Sequence, residues 1–103
     1  MSTDRELLEL AAKAAGIEIR SWRDEPFCAY IGPCLYWNPL TDGGDALRLA
    51  VKLNLHLGLE SNVANAWQGG TYGWYSEGHN TDPYAATRRA IVRAAAGIGE
   101  KMK

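Results

Sequence analysis

The sequence predicts an α+β domain, a layered sandwich in which a mainly antiparallel sheet of four to five strands packs with three helices. Three observations carry that prediction. Three segments show helical spacing with recognisable caps, the stretches between them are runs of adjacent period-two segments, and one such pair flanks a Gly-Gly dipeptide suited to a hairpin turn. Strands gathered between helices, in the order α-β-β-α-β-β-β-α, favour an antiparallel arrangement over a doubly wound parallel sheet. With 103 residues, 47% hydrophobic and 22% charged, the chain is expected to form a single domain over residues 1–103 with one modest core.

Thr3-Asp4-Arg5-Glu6 reads as a capping box, the Thr3 hydroxyl accepting from the Glu6 N–H while the Glu6 carboxylate returns to that of Thr3. A helix from Asp4 to Ala15 follows, with Leu7, Leu8, Ala11, Ala14 and Ala15 opposite Glu9 and Lys13, and Gly16 as a left-handed stop. From Ile17 the period becomes two: Ile17, Ile19 and Trp22 alternate with Glu18, Arg20 and Arg23 until Asp24-Glu25-Pro26 turns the chain. Phe27 to Ile31 and Leu35 to Trp37 are the next strands, and Gly32-Pro33 marks a turn or bulge between them.

Asn38-Pro39-Leu40-Thr41-Asp42 leads into a second helix, Asp42 to Leu53, with Asp42 and Asp45 where the macrodipole favours negative charge. Ala46, Leu47, Leu49, Ala50, Val51 and Leu53 cover so wide an arc that this helix is expected to be well buried. Leu55, Leu57 and Leu59 alternate with His56, Gly58 and Glu60, a strand with one apolar face. Val63 to Gln68 and Thr71 to Ser76 flank Gly69-Gly70; a two-residue loop there sets Trp67 opposite Tyr72, Asn65 opposite Trp74 and Ala64 opposite Tyr75. One face of that hairpin is aromatic and the other small. Asp82-Pro83 is an N-cap followed by proline at the first helical position, opening a third helix, Pro83 to Gly99, with the apolar stripe Tyr84, Thr87, Ile91, Ala94 and Ile98.

A net charge of −1 offers no global field for nucleic acid or an anionic membrane, so nucleic acid is not an expected partner. No apolar run approaches the roughly 20 residues that cross a bilayer. The N-terminus enters an amphipathic pattern without the basic and apolar regions of a secretory signal, which leads to the expectation of a cytoplasmic protein with no membrane partner. In that reducing setting Cys28 and Cys34 are read as small apolar side chains rather than a disulfide.

Three blocks also resemble a known family. Asp4-Arg5-Glu6-Leu7-Leu8-Glu9-Leu10-Ala11-Ala12-Lys13-Ala14-Ala15-Gly16, Trp37-Asn38-Pro39-Leu40-Thr41-Asp42-Gly43-Gly44-Asp45-Ala46-Leu47-Arg48-Leu49-Ala50-Val51 and Asp82-Pro83-Tyr84-Ala85-Ala86-Thr87-Arg88-Arg89-Ala90-Ile91 are similar to the small bacteriophage and prophage proteins of the phage ABA sandwich domain family. The middle block is the most specific, because its Trp-Asn-Pro-Leu-Thr-Asp entry to a helix is unusual. The resemblance implies a phage or prophage origin and a layered α/β architecture; it carries over no catalytic residues. The segment from Asn54 to Thr81 lies outside it.

That segment holds Trp67, Tyr72, Trp74 and Tyr75 among glycines, with Glu60 and Glu77 as its charges, which makes a candidate contact surface. Against this stands a core reading, in which Trp67, Tyr72 and Trp74 form the inner face and Tyr75 is left as the exposed contact. Glu77, His79 and Asp82 are near in sequence, but Asp82 is accounted for as a cap, and no His-x-x-x-His or Cys-x-x-Cys spacing completes a metal site. Neither cysteine has a placeable histidine partner, and Asp42-Gly43-Gly44-Asp45 lacks the lysine of a phosphate loop.

No catalytic residue, cofactor or metal is therefore assigned. The expectation is a non-enzymatic phage accessory protein that binds a host protein, as an inhibitor of a host enzyme or defence system. The alternative is a nucleotide-binding protein in which Trp67, Tyr72 or Trp74 stacks on the base while Arg88 or Arg89 meets phosphate. A homodimer, formed by an apolar patch or an edge strand, is a further option.

Overall fold

The computed structural model describes residues 3–24, 27–33, 35–68, 75–78 and 82–102. The order is α1 (Asp4–Ala15), β1 (Ser21–Asp24), β2 (Phe27–Gly32), β3 (Leu35–Trp37), α2 (Gly43–Lys52), β4 (Leu55–Leu59), β5 (Val63–Gln68), β6 (Tyr75–Gly78) and α3 (Pro83–Glu100). This is the predicted α+β class, but three strands rather than two lie between α1 and α2, and the strands form two three-stranded antiparallel sheets, β1-β2-β3 and β4-β5-β6, instead of one sheet of four to five. The reason is local: each group of strands closes through short links, whereas β3 and β4 are separated by the whole of α2.

The helix ends follow their capping chemistry. Thr3 Oγ1 accepts from the Glu6 N–H at 3.1 Å and Glu6 Oε1 accepts from the Thr3 N–H at 3.3 Å, while Gly16 terminates α1 at φ 72°. Asp42 caps α2 by accepting from the Asp45 N–H at 2.8 Å, and Asn54, at φ 53°, makes the left-handed link from α2 to β4 that asparagine tolerates. Asp82 accepts from the N–H groups of Tyr84 and Ala85. Ile17 and Ile19 are half-buried against the core as alternation predicts, yet the ladder begins only at Ser21. The bulge foreseen near Gly32 is present as a register shift between Tyr30 and Gly32.

The unusual helix entry has a structural account. Asn38 is buried; its Nδ2 donates to the Phe27 carbonyl at 2.7 Å, its Oδ1 accepts from the Leu40 N–H at 2.9 Å, and its own N–H donates to Asp45 Oδ2 at 2.9 Å. One residue, through its side chain and its own N–H, thus ties β2 to the start of α2, with Trp37 and Pro39 buried on either side.

α3 stands between two cores rather than covering one. Ile91, Val92 and Ala95 join Leu8, Ala11 and Ala12 of α1, Leu49 and Ala50 of α2, and Ala29 and Trp37 of the first sheet. Ala86, Ala90 and Ala94, on another side of the same helix, meet Ala64 and Ala66 of β5. The approach of α1 to α3 depends on Gly99, where a Cβ would collide with the Leu10 carbonyl.

Two expectations about faces are corrected. α2 buries Ala46, Leu49 and Ala50 but leaves Leu47 and Val51 exposed, so its wide apolar arc is only partly covered. On α3, Ile91 and Ala94 of the expected stripe are buried, whereas Tyr84 stands in solvent.

Candidate functional site

β5 is the centre of the second sheet and decides what its two faces are. β4 pairs with it as Leu55↔Gln68, His56↔Trp67, Leu57↔Ala66, Gly58↔Asn65 and Leu59↔Ala64, and β6 as Ala64↔Glu77, Asn65↔Ser76 and Ala66↔Tyr75. Residues directly opposite share a face, so Ala64, Ala66, Leu57, Leu59, Tyr75 and Glu77 look toward α3. His56, Gly58, Asn65, Trp67 and Ser76 look away from it. Among the described residues no helix packs on this second face.

The core reading, in which the aromatic side is buried, is thereby overturned for Trp67. The small side is buried because α3 offers a row of alanines at four-residue spacing, and alanine on alanine lets helix and sheet approach closely. Trp67 instead reaches over Gly58, where a Cβ would stand in ordinary van der Waals contact with the indole, and stacks on His56 with centroids 5.6 Å apart and rings 12° from parallel. Beside it, buried Asn65 accepts from the Ser76 hydroxyl at 2.5 Å and donates to Glu60 at 3.4 Å. The result is a half-buried indole, an exposed imidazole and a fixed amide on one sheet face.

Tyr75 changes role. The register runs two residues further along β6 than a two-residue loop requires, pairing Tyr75 with Ala66 rather than Ala64, and a shift of two preserves the face. That face is the buried one. Tyr75 is half-buried against α3, where a Cβ on Gly97 would collide with its hydroxyl, and so is not the free contact expected of it. Tyr72 and Trp74, with Gly69-Gly70, His79 and Cys34, lie outside the described residues.

The arginines are occupied as ties between elements. Arg88 Nε donates to the Leu40 carbonyl at 2.9 Å, Arg89 pairs with Asp4 at 3.1 Å, and Arg93 pairs with Glu77, donates to the Ser76 carbonyl at 3.2 Å and lies over the Tyr75 ring. Arg88 and Arg89 belong to α3, on the side of the second sheet opposite to Trp67, so the structure does not bring Trp67 together with those cations. A cleft of about 440 Å³ between α1, α3 and β6 does contain Arg89 and Arg93, but their carboxylate partners neutralise it.

Other candidates have structural roles. Asp82 caps α3, Glu77 holds Arg93 and His56 stacks on Trp67. Cys28 is a buried free thiol. Among the described residues no three His, Cys, Asp or Glu side chains gather to hold a metal ion, and no helix is long and apolar enough to cross a membrane.

Sequence reasoning missed an apolar groove. Leu57 and Leu59 of β4, Leu47 of α2 and Tyr84 of α3 line a trough of about 420 Å³ at the edge of the second sheet. The signal for it was present in the excess width of the apolar arc of α2, which exceeds what one neighbour can cover. Comparison of the chain with known protein families, with curated proteins and with solved structures finds no match.

Proposed function

We infer that this is a phage- or prophage-encoded accessory protein that acts by binding a host protein rather than by catalysis, in the manner of an inhibitor or modulator of a host or defence enzyme. The phage origin rests on the resemblance of the three helical blocks. The binding role rests on one observation: the second sheet buries its alanine face and presents Trp67 and His56 on the face that no described helix covers. A tryptophan anchored over a glycine is a preorganised contact, since little rotamer freedom is left to lose on association. The surrounding titratable groups are engaged in caps and ion pairs, which supports contact over chemistry.

The test is capture of partners from bacterial lysate by tagged wild type and by Trp67→Ala and His56→Ala, with circular dichroism confirming the fold. A host protein held by wild type, reproduced with that protein purified, and lost by the folded Trp67→Ala variant is the expected result. Undiminished capture by that variant removes this face from the reading. Quenching of tryptophan fluorescence by nucleotides, with no protein captured, would favour the nucleotide-sequestering alternative.

A further inference from the structure

We propose that β4 is an assembly edge, and that a second copy of this chain adds its own β4 antiparallel to it, joining two three-stranded sheets into one of six strands. The proposal goes beyond the reading above: it concerns the edge of the second sheet and the leucines on its α3 side, and it meets the face that carries Trp67 only where His56 of one copy comes opposite Gly58 of the other.

The two sheets have four edge strands, β1, β3, β4 and β6. β1 is short and carries the exposed charges Arg23 and Asp24; β3 has only three residues and follows a register shift; β6 points Glu77 inward, held by Arg93. Each carries a device that discourages further pairing. β4 has none: it runs five residues, Leu55-His56-Leu57-Gly58-Leu59, in unbroken register with β5, and contains no charged residue and no proline. Among the described residues its outward backbone groups have no hydrogen-bond partner. An open ladder calls for another strand, not a loop or a helix.

The side chains beside this edge are left waiting in the same way. Leu57 is 37% and Leu59 64% exposed, and across the groove Leu47 is 59% and Tyr84 76% exposed. A two-fold axis at Leu57 sets Leu57 against its counterpart, Leu55 against Leu59 and His56 against Gly58, so all five residues pair. The leucines of both strands then share the face toward the groove; a slip of one residue would turn one set outward. Charge does not oppose this pairing: Glu60, just beyond one end of the strand, comes opposite Asn54 of its partner, and no like charges face each other along it. A second copy is thus self-complementary at this edge in register and apolar pattern, with no opposing charge.

Sedimentation or light scattering on the full chain from micromolar to millimolar concentration tests this. The expected result is a species of twice 11.3 kDa whose dissociation constant rises about tenfold or more in Leu59→Lys, which would carry an ammonium into the groove. Leu57→Cys under mild oxidation should form a covalent dimer that wild type does not form, because the two-fold axis brings this position against itself. If Leu59→Lys fails to fold, the Leu57→Cys cross-link decides alone. A wild type that stays monomeric throughout, or a dimer that neither substitution affects, overturns the proposal. Leu57 and Leu59 lie on the α3 side and Trp67 on the other, so loss of the dimer in these variants and loss of capture in Trp67→Ala are measured separately, and failure of one reading is distinguishable from failure of the other.

Discussion

The two sheets share a plan, a helix followed by a three-stranded antiparallel meander, yet they pack by opposite means. The first sheet turns large residues inward: Trp37 is buried, Trp22 stacks on Phe27 at 5.3 Å, and Arg5 of α1 lies over the Trp22 ring at 5.0 Å. Its outer face carries Tyr30 and Tyr36, with Arg23 over the latter. The second sheet turns its smallest residues inward, Ala64 and Ala66 against Ala86, Ala90 and Ala94, and keeps Trp67 outside. Tryptophan marks the inner face in one sheet and the outer face in the other. What decides is the partner: α1 and α2 leave room that tryptophan fills, while the alanine row of α3 admits only a close neighbour.

The sharpest break in this comparison is Trp37→Ala. Removing a buried indole from the first sheet should cost about 3–5 kcal/mol, measured as a drop in urea unfolding free energy. A cost near 1 kcal/mol would mean that the first sheet does not rest on its tryptophan. Next is the converse change on the second sheet. Ala66→Leu overfills the contact with α3 and should destabilise by about 1–3 kcal/mol, where the same enlargement at an unfilled site would stabilise. A neutral or stabilising result would show that the alanine faces do not approach as closely as described.

Trp67→Ala sharpens the contrast with Trp37. It forfeits the stack on His56 and should cost about 1 kcal/mol, so the two tryptophans should differ severalfold in unfolding free energy. Equal costs would place Trp67 in a core and withdraw it as a contact. The smallest effect belongs to Arg89→Ala: its pair with Asp4 is largely solvated and should contribute below about 1 kcal/mol, weakening further in high salt. A large loss of ligand or partner binding in this variant, with stability intact, would return the α3 arginines to the functional surface.

What was legible in advance is what neighbours in sequence settle among themselves. The capping box at Thr3 and Glu6, the stop at Gly16, the caps at Asp42 and Asp82 and the alternation in Leu55–Leu59 and Val63–Gln68 depend on contacts a few residues apart. The helices accordingly begin and end within a residue or so of their expected bounds. The exposure of Leu47, Val51 and Tyr84 was not legible, since helical spacing shows that a face is apolar and not whether another element reaches it.

By itself, the sequence determined the class, the alternation of helices with groups of strands and the existence of two unlike faces on β5. Only the tertiary structure decided that the strands split into two sheets, that Ala66 pairs with Tyr75, and that the small face of the second sheet is the buried one. A period of two distinguishes two faces without ranking them. The ranking comes from Ala86, Ala90 and Ala94, some twenty residues further along the chain, because close packing selects whichever face fits the helix that arrives.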